Sequence, residues 1–557
     1  MEKVKRVIVV GGVAGGASTV ARLRRLNEQA QILLLEKGPH ISFANCGLPY
    51  YIGGDIQERS KLLVMTPENL SKRFNVDIRT NSEVLSIDRT SKKLRIKNVA
   101  NGEEYEEVYD KLVLSPGAKP FVPPIEGLDS VRTYTLRNLE DTDKIYEALE
   151  SVNPKHCTVV GGGFIGLEVA EAMVHRGIKC TVVELMPQVM PPMDSDMVAF
   201  IHQELIKNGV DLQLGKSLKA VEPLEGNSVK LFLSDSSQIE TEFVVLSVGV
   251  RSEVALATES GIELGVTRAI KTNEHMQTSD PDVYAIGDAI EQMDIVSGGP
   301  TVLPLAGPAN RQGRIVADHI CGKDSAYKGC QGTAIVKVFN VAAGSTGMSE
   351  KRLKALKIPY KKVHVHSKSH AGYYPGAKSI AMKLLFDPNN GRILGLQAVG
   401  EDGVDKRVDV VAVAIRAGMT VYDLEHLELC YAPPYGSAKD PVNIAGFAAS
   451  NLLRGDLELI TYEELMEEGT QNKVILDVRN ATELEGGRVM QAVHIPLGEL
   501  RSRMEELPRD KEIIPYCAVG MRGYLAYRQL VQAGFKARSL AGGFTTYQVL
   551  SEFLSPN

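Results

Sequence analysis

The pattern of apolar and polar positions near the start of the chain predicts a strand, a tight turn, a helix and a second strand. An apolar β-branched run, Val7–Val10, leads into a glycine-rich turn over residues 11–16 and a helical pattern over Ala17–Leu26. The next apolar run, Ile32–Leu35, ends at Glu36. Such a turn lets the backbone approach a pyrophosphate at a helix N-terminus, and the acidic residue is placed to bind ribose hydroxyls. The pattern is typical of a dinucleotide-binding βαβ unit.

The same arrangement returns further along the chain. Residues 161–166 form a complete G-x-G-x-x-G, and the following apolar strand, Cys180–Val183, ends at Glu184. In the first turn the second glycine position is taken by Val13, a departure from the motif. Two units make a chance match improbable, and we expect one to hold a flavin and the other a nicotinamide. The predicted cofactor-binding residues are Gly11, Gly12, Val13, Ala14, Gly15, Gly16, Glu36, Gly161, Gly163, Gly166, Glu184, and Asp288 at the end of the apolar strand Val283–Ile286.

The remainder of the chain predicts two further domains. Residues 332–453 combine strands with a long apolar helix over Val404–Gly418, which favours an α+β domain. A capping box, Thr461 with Glu464, then opens about 100 residues of alternating helices and strands, with Cys517 at the carboxyl end of a strand. The predicted fold class is therefore α/β, with two interleaved Rossmann-like nucleotide domains, an α+β domain and a C-terminal α/β domain.

Composition narrows the possible partners. The 557 residues carry 63 Lys and Arg against 69 Asp and Glu, a net charge of −6, without a block of like charge. This argues against nucleic acid or an anionic membrane surface as a partner. No apolar run reaches the length of a membrane span, and no metal site is predicted. The 7 cysteines include no C-x-x-C pair, which favours a reducing, cytoplasmic compartment.

Cys46 is the first candidate for redox chemistry. Gly47 and Pro49 indicate a turn or helix start, where backbone N–H groups are expected to lower the pKa of a thiol. A lone cysteine is more often an inert buried residue. No second cysteine lies within twenty residues, so Cys46 cannot act through a local dithiol. A single redox thiol must cycle against a small thiol, as a mixed disulfide, or against oxygen, as a sulfenic acid.

Residues 1–450 resemble the coenzyme A disulfide reductases of the two-dinucleotide-domain flavoproteins. The resemblance rests on the glycine turn over residues 11–16 and on the segments 42–50, 115–118 and 431–441. It implies a homodimer that uses FAD, NAD(P)H and coenzyme A, with Cys46 as the nucleophile. Tyr373 and Tyr431 would come from the opposite subunit to assist the departing thiolate, with Tyr374 and Tyr435 as competitors. The implied coenzyme A contacts are Arg22, Arg25, Ser42, Asn45, Asn310 and Lys439, although the arginines could instead form a solvated helix face.

Residues 458–557 resemble the rhodaneses. The loop Cys517-Ala518-Val519-Gly520-Met521-Arg522 follows a strand, and its backbone amides are expected to surround the sulfur and stabilise a thiolate and a persulfide. Its C-x4-R spacing is one residue shorter than in the related phosphatases, which favours sulfur over phosphate. The four residues after Cys517 include no cation, so we expect a sulfur donor less charged than thiosulfate, such as a persulfide. Arg522 is predicted to tie the loop to a carboxylate, with Asp477 as the candidate.

Together these resemblances predict four domains and one activity. The predicted ranges are 1–115 with 250–330 for FAD, 116–249 for NAD(P), 331–453 for dimerisation and 458–557 for the rhodanese domain. The expected function is NAD(P)H-dependent reduction of coenzyme A persulfide or polysulfide. Coenzyme A disulfide reduction is the first alternative; NADH oxidase or peroxidase chemistry and a non-enzymatic sulfur-trafficking or redox-sensing role are further ones. Glu184 would repel a 2′-phosphate and favour NADH, unless it points to solvent and Lys179 or Arg176 accepts that phosphate.

Overall fold

The computed structural model describes residues 5–554. The first four and last three residues, which belong to the predicted ranges 1–115 and 458–557, lie outside the described part. The chain divides into two compact units, the first made of Met1–Pro187 with Val210–Cys330 and the second of Gln188–Gly209 with Gln331–Asn557.

The strands are divided between the two units. The strands of the first unit are β1 (Arg6–Val10), β2 (Gln31–Leu35), β3 (Asp77–Arg79), β4 (Ser82–Asp88), β5 (Lys93–Asn98), β6 (Glu104–Val108), β7 (Lys111–Leu114), β8 (Ala118–Pro120), β9 (Thr133–Tyr134), β10 (His156–Val160), β11 (Lys179–Glu184), β12 (Asp211–Leu214), β13 (Leu218–Pro223), β14 (Val229–Leu233), β15 (Gln238–Thr241), β16 (Phe243–Leu246), β17 (Val250–Ser252), β18 (Val283–Ala285), β19 (Gln292–Met293) and β20 (Pro300–Thr301). Those of the second unit are β21 (Ala334–Val338), β22 (Val341–Gly347), β23 (Lys361–Lys368), β24 (Ser379–Phe386), β25 (Ile393–Gly400), β26 (Leu459–Ile460), β27 (Lys473–Asp477), β28 (Val493–His494), β29 (Glu512–Tyr516) and β30 (Ser539–Leu540).

The helices are numbered along the whole chain. They are α1 (Ala14–Leu26), α2 (Leu48–Gly53), α3 (Pro67–Phe74), α4 (Leu139–Val152), α5 (Phe164–His175), α6 (Ser195–Lys207), α7 (Ala255–Glu259), α8 (Ala306–Ile320), α9 (Glu350–Ala355), α10 (Val404–Arg416), α11 (Val421–Glu425), α12 (Pro441–Arg454), α13 (Tyr462–Glu468), α14 (Leu500–Arg503), α15 (Met521–Gln532) and α16 (Gly543–Leu554).

Two parallel sheets organise the first unit. One has the strand order β18-β7-β1-β2-β3 and the other β12-β11-β10-β16-β9. Their central strands are apolar and buried, as expected for parallel strands covered on both faces. In each sheet a glycine turn joins a central strand to a helix, so the nucleotide units lie at the carboxyl ends of the strands.

The second unit contains an antiparallel sheet and a small parallel one. The antiparallel sheet has the order β21-β22-β25-β24-β23. The parallel sheet has the order β28-β27-β29, with a separate pair formed by β26 and β30. This architecture confirms the predicted fold class. The four domain ranges remain predictions, and α6, from the predicted range 116–249, groups with the second unit.

Element ends differ from the predictions where glycine conformation decides them. The long apolar helix ends at Arg416 because Gly418 has a left-handed φ of 72°. This difference leaves the placement of the candidate site residues unchanged.

Candidate active sites

The first glycine turn is closed by direct packing of backbone on backbone. Gly11 has φ 97°, and a Cβ there would lie 2.0 Å from the carbonyl oxygen of Ser115. A Cβ on Gly16 would lie 1.8 Å from the oxygen of Gly11. Both positions therefore require glycine, and the start of α1 is held against the ends of β1 and β7. The geometry fits the close approach that a pyrophosphate needs, with Val13 as the N-cap of α1.

Acidic residues surround this turn at the positions the sequence predicts. Glu36 accepts hydrogen bonds from the amides of Gly12 at 2.7 Å and Gly38 at 2.9 Å. Burial raises the pKa of Glu36, although those two amides act against the increase. Asp288 lies just after β18, where burial raises its pKa and the positive charge of Arg137 lowers it. These groups fit a ribose-containing cofactor and would hold it by hydrogen bonds.

The second glycine turn repeats the geometry of the first. Gly161 has φ 108°, with a Cβ position 2.3 Å from the oxygen of Ser247. A Cβ on Gly166 would lie 1.9 Å from the oxygen of Gly161, whereas one on Gly163 would meet nothing within 4 Å. The open side at Gly163 is the side from which a dinucleotide can approach.

Glu184 is fixed at the edge of this second turn. Its carboxylate accepts the amides of Gly162 at 2.7 Å and Met186 at 2.8 Å, and the residue is 8% exposed. Lys179 lies at the opposite end of β11, about 16 Å away at 3.3 Å per residue. Arg176 donates to Glu150 and packs over the ring of Tyr146. Neither cation is therefore placed to neutralise a 2′-phosphate beside Glu184.

The segment around Cys46 connects the two nucleotide units. Residues Asn45–Gly47 form one 3-10 turn before α2, and Asn45 donates to the carbonyl of Arg137 at 3.3 Å. Helix α2 packs on α5 so closely that a Cβ on Gly53 would lie 3.2 Å from Ala172. Cys46 itself is accessible. The thiol of Cys46 is thus carried by a segment that packs on α5, the helix that follows the second glycine turn.

The electrostatic environment of Cys46 differs from the sequence prediction. The pKa of its thiol is raised, first by desolvation and then by the carboxylates of Glu168 and Asp288. The prediction of a lowered pKa at a helix start was therefore wrong, because it considered neither desolvation of the thiol nor the nearby acidic groups. Burial raises the pKa of Glu168 itself to about 7, with the Tyr50 hydroxyl, 3.2 Å away, opposing the increase. Glu168 and Tyr50 escaped the sequence analysis, although Glu168 lies only two residues beyond Gly166.

A surface cleft of about 370 Å³ gathers several of the predicted coenzyme A contacts. Arg22, Arg25, Ser42 and Asn310 line it, together with Arg73 and Arg314, which the sequence analysis missed. Arg25, Arg73 and Arg314 are exposed, whereas the guanidinium of Arg22 is bound to Asp318 at 2.7 Å. Arg314 follows Asn310 by one helical turn on α8, a spacing that could have revealed it. Three accessible guanidiniums suit a ligand with several phosphates.

The remaining predicted contact and the tyrosines lie in the second unit. Lys439 precedes α12, with its ammonium 6.0 Å from the ring centre of Phe447. Tyr373 and Tyr431 are exposed, and their hydroxyls are 3.2 Å apart. Tyr374 instead packs edge-on against His370, and Tyr435 is 72% exposed. The hydrogen bond favours Tyr373 and Tyr431 as the functional pair, and their role remains a prediction.

The second candidate site is the loop that follows β29. Cys517 is 1% exposed, and its sulfur accepts the amide of Gly520 at 3.2 Å. Gly520 has φ 104°, which turns this amide back towards the sulfur. Val519 and Met521 are exposed apolar residues on the same loop, and Ala518 lies between Cys517 and Val519. The loop thus combines a buried sulfur, an amide donor and an uncharged outer surface.

The carboxylate partner of Arg522 is not the predicted one. Arg522 donates two hydrogen bonds to Glu483, at 2.6 and 2.7 Å. Asp477 is buried and already engaged by Arg479 at 2.7 Å and by the Tyr516 hydroxyl at 2.6 Å. The assignment of Asp477 was therefore wrong, because its carboxylate is already bound by Arg479 and by Tyr516 of β29. The structural role of Arg522 as a tie for the loop is consistent with the bidentate pair.

The described part of the chain gives no sign of a membrane segment or a metal centre. No helix among residues 5–554 is long and apolar enough to cross a bilayer. No group of three or more His, Cys, Asp or Glu side chains in that range could hold a metal ion.

The fold and the two glycine turns define a flavin- and nicotinamide-dependent oxidoreductase. A further domain, which carries the loop of Cys517, is attached to it. Residues 5–313 match the pyridine nucleotide-disulphide oxidoreductase family, residues 333–440 its dimerisation domain and residues 461–549 the rhodanese-like domain. The chain belongs to the pyridine nucleotide-disulphide oxidoreductase family. The resemblance seen in the sequence is confirmed, and the family implies FAD and a nicotinamide nucleotide.

Three similar proteins extend this result. A coenzyme A disulfide reductase from Staphylococcus haemolyticus is 35% identical over 449 residues, 80% of this chain and all of that protein. The crystal structure of reduced Bacillus anthracis CoADR-RHD is 51% identical, covers 99% of both chains and superposes with a TM-score of 0.95. The structure of an NAD-dependent persulfide reductase from A. fulgidus is 37% identical, covers 97% of this chain and 100% of its own, and gives a TM-score of 0.92.

The carboxylate of Glu168 provides a test of the Cys46 environment. Above pH 7 Glu168 is ionised and holds the thiol pKa up, so Glu168→Gln should increase the thiolate fraction. We expect Cys46 in the reduced holoenzyme to be alkylated roughly two- to fivefold faster at pH 8, with the difference disappearing near pH 6. Peptide mass spectrometry after iodoacetamide treatment measures this rate. Glu58→Gln, at an exposed carboxylate paired with Lys61, is the control, and equal rates for Glu168→Gln and wild type at pH 8 would contradict the assignment.

Proposed function

We propose that this protein reduces coenzyme A persulfide, or polysulfide sulfur carried by coenzyme A, to sulfide with electrons from NADH. The observation that carries the proposal is the accessible thiol of Cys46, which has no second cysteine within twenty residues and lies four residues from Ser42 in the wall of a cleft with three exposed arginines. A lone thiol needs an external sulfur partner, and the cleft suits the phosphates of that partner. The likeness to a persulfide reductase and to a coenzyme A disulfide reductase supports the same substrate class.

The proposed cycle balances around Cys46. Its thiolate attacks the sulfur bonded to coenzyme A, the S–S bond of the persulfide breaks and HS⁻ leaves, which forms a mixed disulfide with coenzyme A. The flavin, when bound, supplies two electrons that come from the nicotinamide and reduce this disulfide. Cys46 thiolate and coenzyme A thiol are thereby regenerated, so that NADH, H⁺ and the persulfide give NAD⁺, coenzyme A and H₂S.

The other groups have roles that follow from their positions. Arg25, Arg73 and Arg314 would hold the phosphates, while Ser42 and Asn310 of the same cleft add polar contacts. The paired hydroxyls of Tyr373 and Tyr431 would stabilise the departing coenzyme A thiolate from the opposite subunit of a homodimer. Glu168, with a pKa of about 7, is suited to exchange a proton near Cys46 at neutral pH. A cytoplasmic location completes the proposal, since free thiols persist there.

Cys517 would act before Cys46. Its loop is suited to accept sulfane sulfur as a persulfide and to transfer it to coenzyme A, while the apolar Val519 and Met521 favour an uncharged donor. Coenzyme A disulfide reduction alone and NADH oxidase or peroxidase chemistry do not need this domain. A non-enzymatic sulfur-trafficking role would be excluded by steady NADH consumption on addition of polysulfide.

Cys46→Ser should abolish both disulfide and persulfide reduction while FAD stays bound. A hydroxyl fits the same volume but cannot form the mixed disulfide, so NADH should still bleach the flavin. Stopped-flow absorbance and a sulfide assay measure the two steps separately. Cys321→Ser, at a partly buried cysteine elsewhere in the first unit, is the control. Wild-type persulfide turnover in Cys46→Ser would disprove the mechanism.

Cys517→Ser should remove sulfur transfer but preserve reduction of coenzyme A persulfide supplied in solution. That substrate can react with Cys46 directly, because the reductive cycle does not pass through Cys517. Sulfide release is measured with glutathione persulfide plus coenzyme A and, separately, with preformed coenzyme A persulfide. An equal loss with both substrates would mean that Cys517 belongs to the reductive cycle.

Glu184→Ala should weaken the preference for NADH over NADPH. The wild-type carboxylate accepts ribose hydroxyls and repels a 2′-phosphate, an effect of about 5- to 150-fold in affinity. Measurement of kcat/KM for both coenzymes should show this ratio in wild type and its fall in the variant. Asp211→Asn, at an exposed carboxylate on β12, serves as the control. Equal kcat/KM values for the two coenzymes in wild type would show that Glu184 does not face the ribose.

A further inference from the structure

Helix α16 supports the loop that carries Cys517, and it also attaches the domain of that loop to the rest of the second unit. Helix α16 packs against α6, where Ala199 belongs to the same buried cluster as Ile460 and Tyr547. His202 of α6 lies edge-on against Phe553 at 5.1 Å between ring centres. Beyond its first turn, α16 is therefore fixed both by α6 and by its own domain, where Tyr547 packs edge-on against Tyr462.

The first turn of α16 holds the backbone of the Cys517 loop. The amide of Phe544 donates to the carbonyl of Cys517 at 2.8 Å, and that of Thr545 donates to the carbonyl of Ala518 at 2.9 Å. Gly543, at φ 63°, permits this approach, because a Cβ there would lie 2.4 Å from the oxygen of Cys517. A shift of this turn would therefore move the loop and the Gly520 amide that contacts the sulfur.

One hydrogen bond ties this turn to the antiparallel sheet. The hydroxyl of Thr546, a residue that is 3% exposed, lies 2.7 Å from Nε2 of His366 on β23. Burial lowers the pKa of His366 to about 3, so the imidazole is neutral at physiological pH and Nε2 can accept the hydroxyl proton. The ring of His366 also lies 5.8 Å from that of Phe200 on α6. His366 thus forms a hydrogen bond to the first turn of α16 and also packs against α6 through Phe200.

We propose that His366 is a positioning residue for sulfur transfer at Cys517, acting through its hydrogen bond with Thr546. The bond fixes the first turn of α16, the turn fixes the carbonyls of Cys517 and Ala518, and the loop keeps the Gly520 amide on the sulfur. The proposal rests on the proposed role of Cys517 as a sulfur carrier. It makes the transfer site dependent on a residue of the preceding domain, more than 150 positions earlier in the sequence.

The test compares hydroxyl and imidazole variants in the full-length holoenzyme. Thr546→Val and His366→Leu remove the bond, His366→Gln keeps an acceptor near the Nε2 position, and Ser551→Ala removes a hydroxyl five residues further along α16. Glutathione persulfide is the donor and coenzyme A the acceptor, without NADH, and coenzyme A persulfide is measured by chromatography. Hydrogen exchange of the peptide over residues 517–524 reports the order of the loop independently of any activity.

We expect Thr546→Val and His366→Leu each to lower kcat for sulfur transfer roughly three- to tenfold, with KM for the donor unchanged. Their combination should be no worse than either alone, because both remove the same bond. The loop peptide should exchange faster in these variants, whereas His366→Gln and Ser551→Ala should stay close to wild type. NADH-dependent reduction of coenzyme A disulfide should be unchanged in Thr546→Val.

Several results would overturn the proposal. Wild-type transfer by Thr546→Val would do so, as would equal impairment of His366→Gln and His366→Leu. Parallel loss of transfer and of disulfide reduction in Thr546→Val would also overturn it, because the bond would then support the fold as a whole and not the Cys517 loop. If wild type transfers no sulfur, the proposed function of Cys517 fails instead, and unchanged hydrogen exchange in Thr546→Val separately disproves the positioning link.

Discussion

Close packing of backbone on backbone at the two glycine turns is the constraint on which the nucleotide units depend. At both turns the last glycine lies against the carbonyl of the first, so that any side chain would collide. This contact fixes the start of α1 and of α5 relative to their strands, and with it the positions of Glu36 and Glu184. Because α2 packs on α5, the same constraint also positions the segment that carries Cys46.

The second unit depends instead on a buried cation. Lys383, 1% exposed on its side chain, binds Asp196 of α6 and Glu350 of α9, each at 2.7 Å. These carboxylates raise the pKa of Lys383, although desolvation opposes them, so the ammonium stays charged. Loss of one partner from such a cluster leaves uncompensated buried charge, which strongly favours the observed arrangement over its alternatives. Helix α6 is thereby held on the sheet, and this explains why it groups with the second unit although it follows β11 in sequence.

The local sequence pattern was sufficient to predict the features that depend only on residues close together in sequence. The strands, the glycine turns and the acidic residues that end β2 and β11 all follow from short-range periodicity. Partners that lie far apart in sequence were not accessible in this way. Arg522 meets Glu483 because Asp477 is already occupied, and Arg22 meets Asp318 across 296 positions. The raised pKa of Cys46 also depends on distant parts of the chain, because it results first from desolvation in the folded protein and then from acidic neighbours on α5 and at the end of β18.

The two cysteines are surrounded by opposite kinds of surface, and this difference suggests how one carrier could serve both. The cleft that Ser42 lines has exposed guanidiniums, those of Arg25 and Arg73, which are suited to phosphate and would contribute little to binding an uncharged thiol arm. Around Cys517 the loop offers amide hydrogen and apolar side chains, which suit neutral sulfur and provide no site for phosphate charge. Coenzyme A combines a polyphosphate end with an uncharged thiol end. Each site therefore matches a different end of the same molecule, so the sites need not compete for the same groups on it.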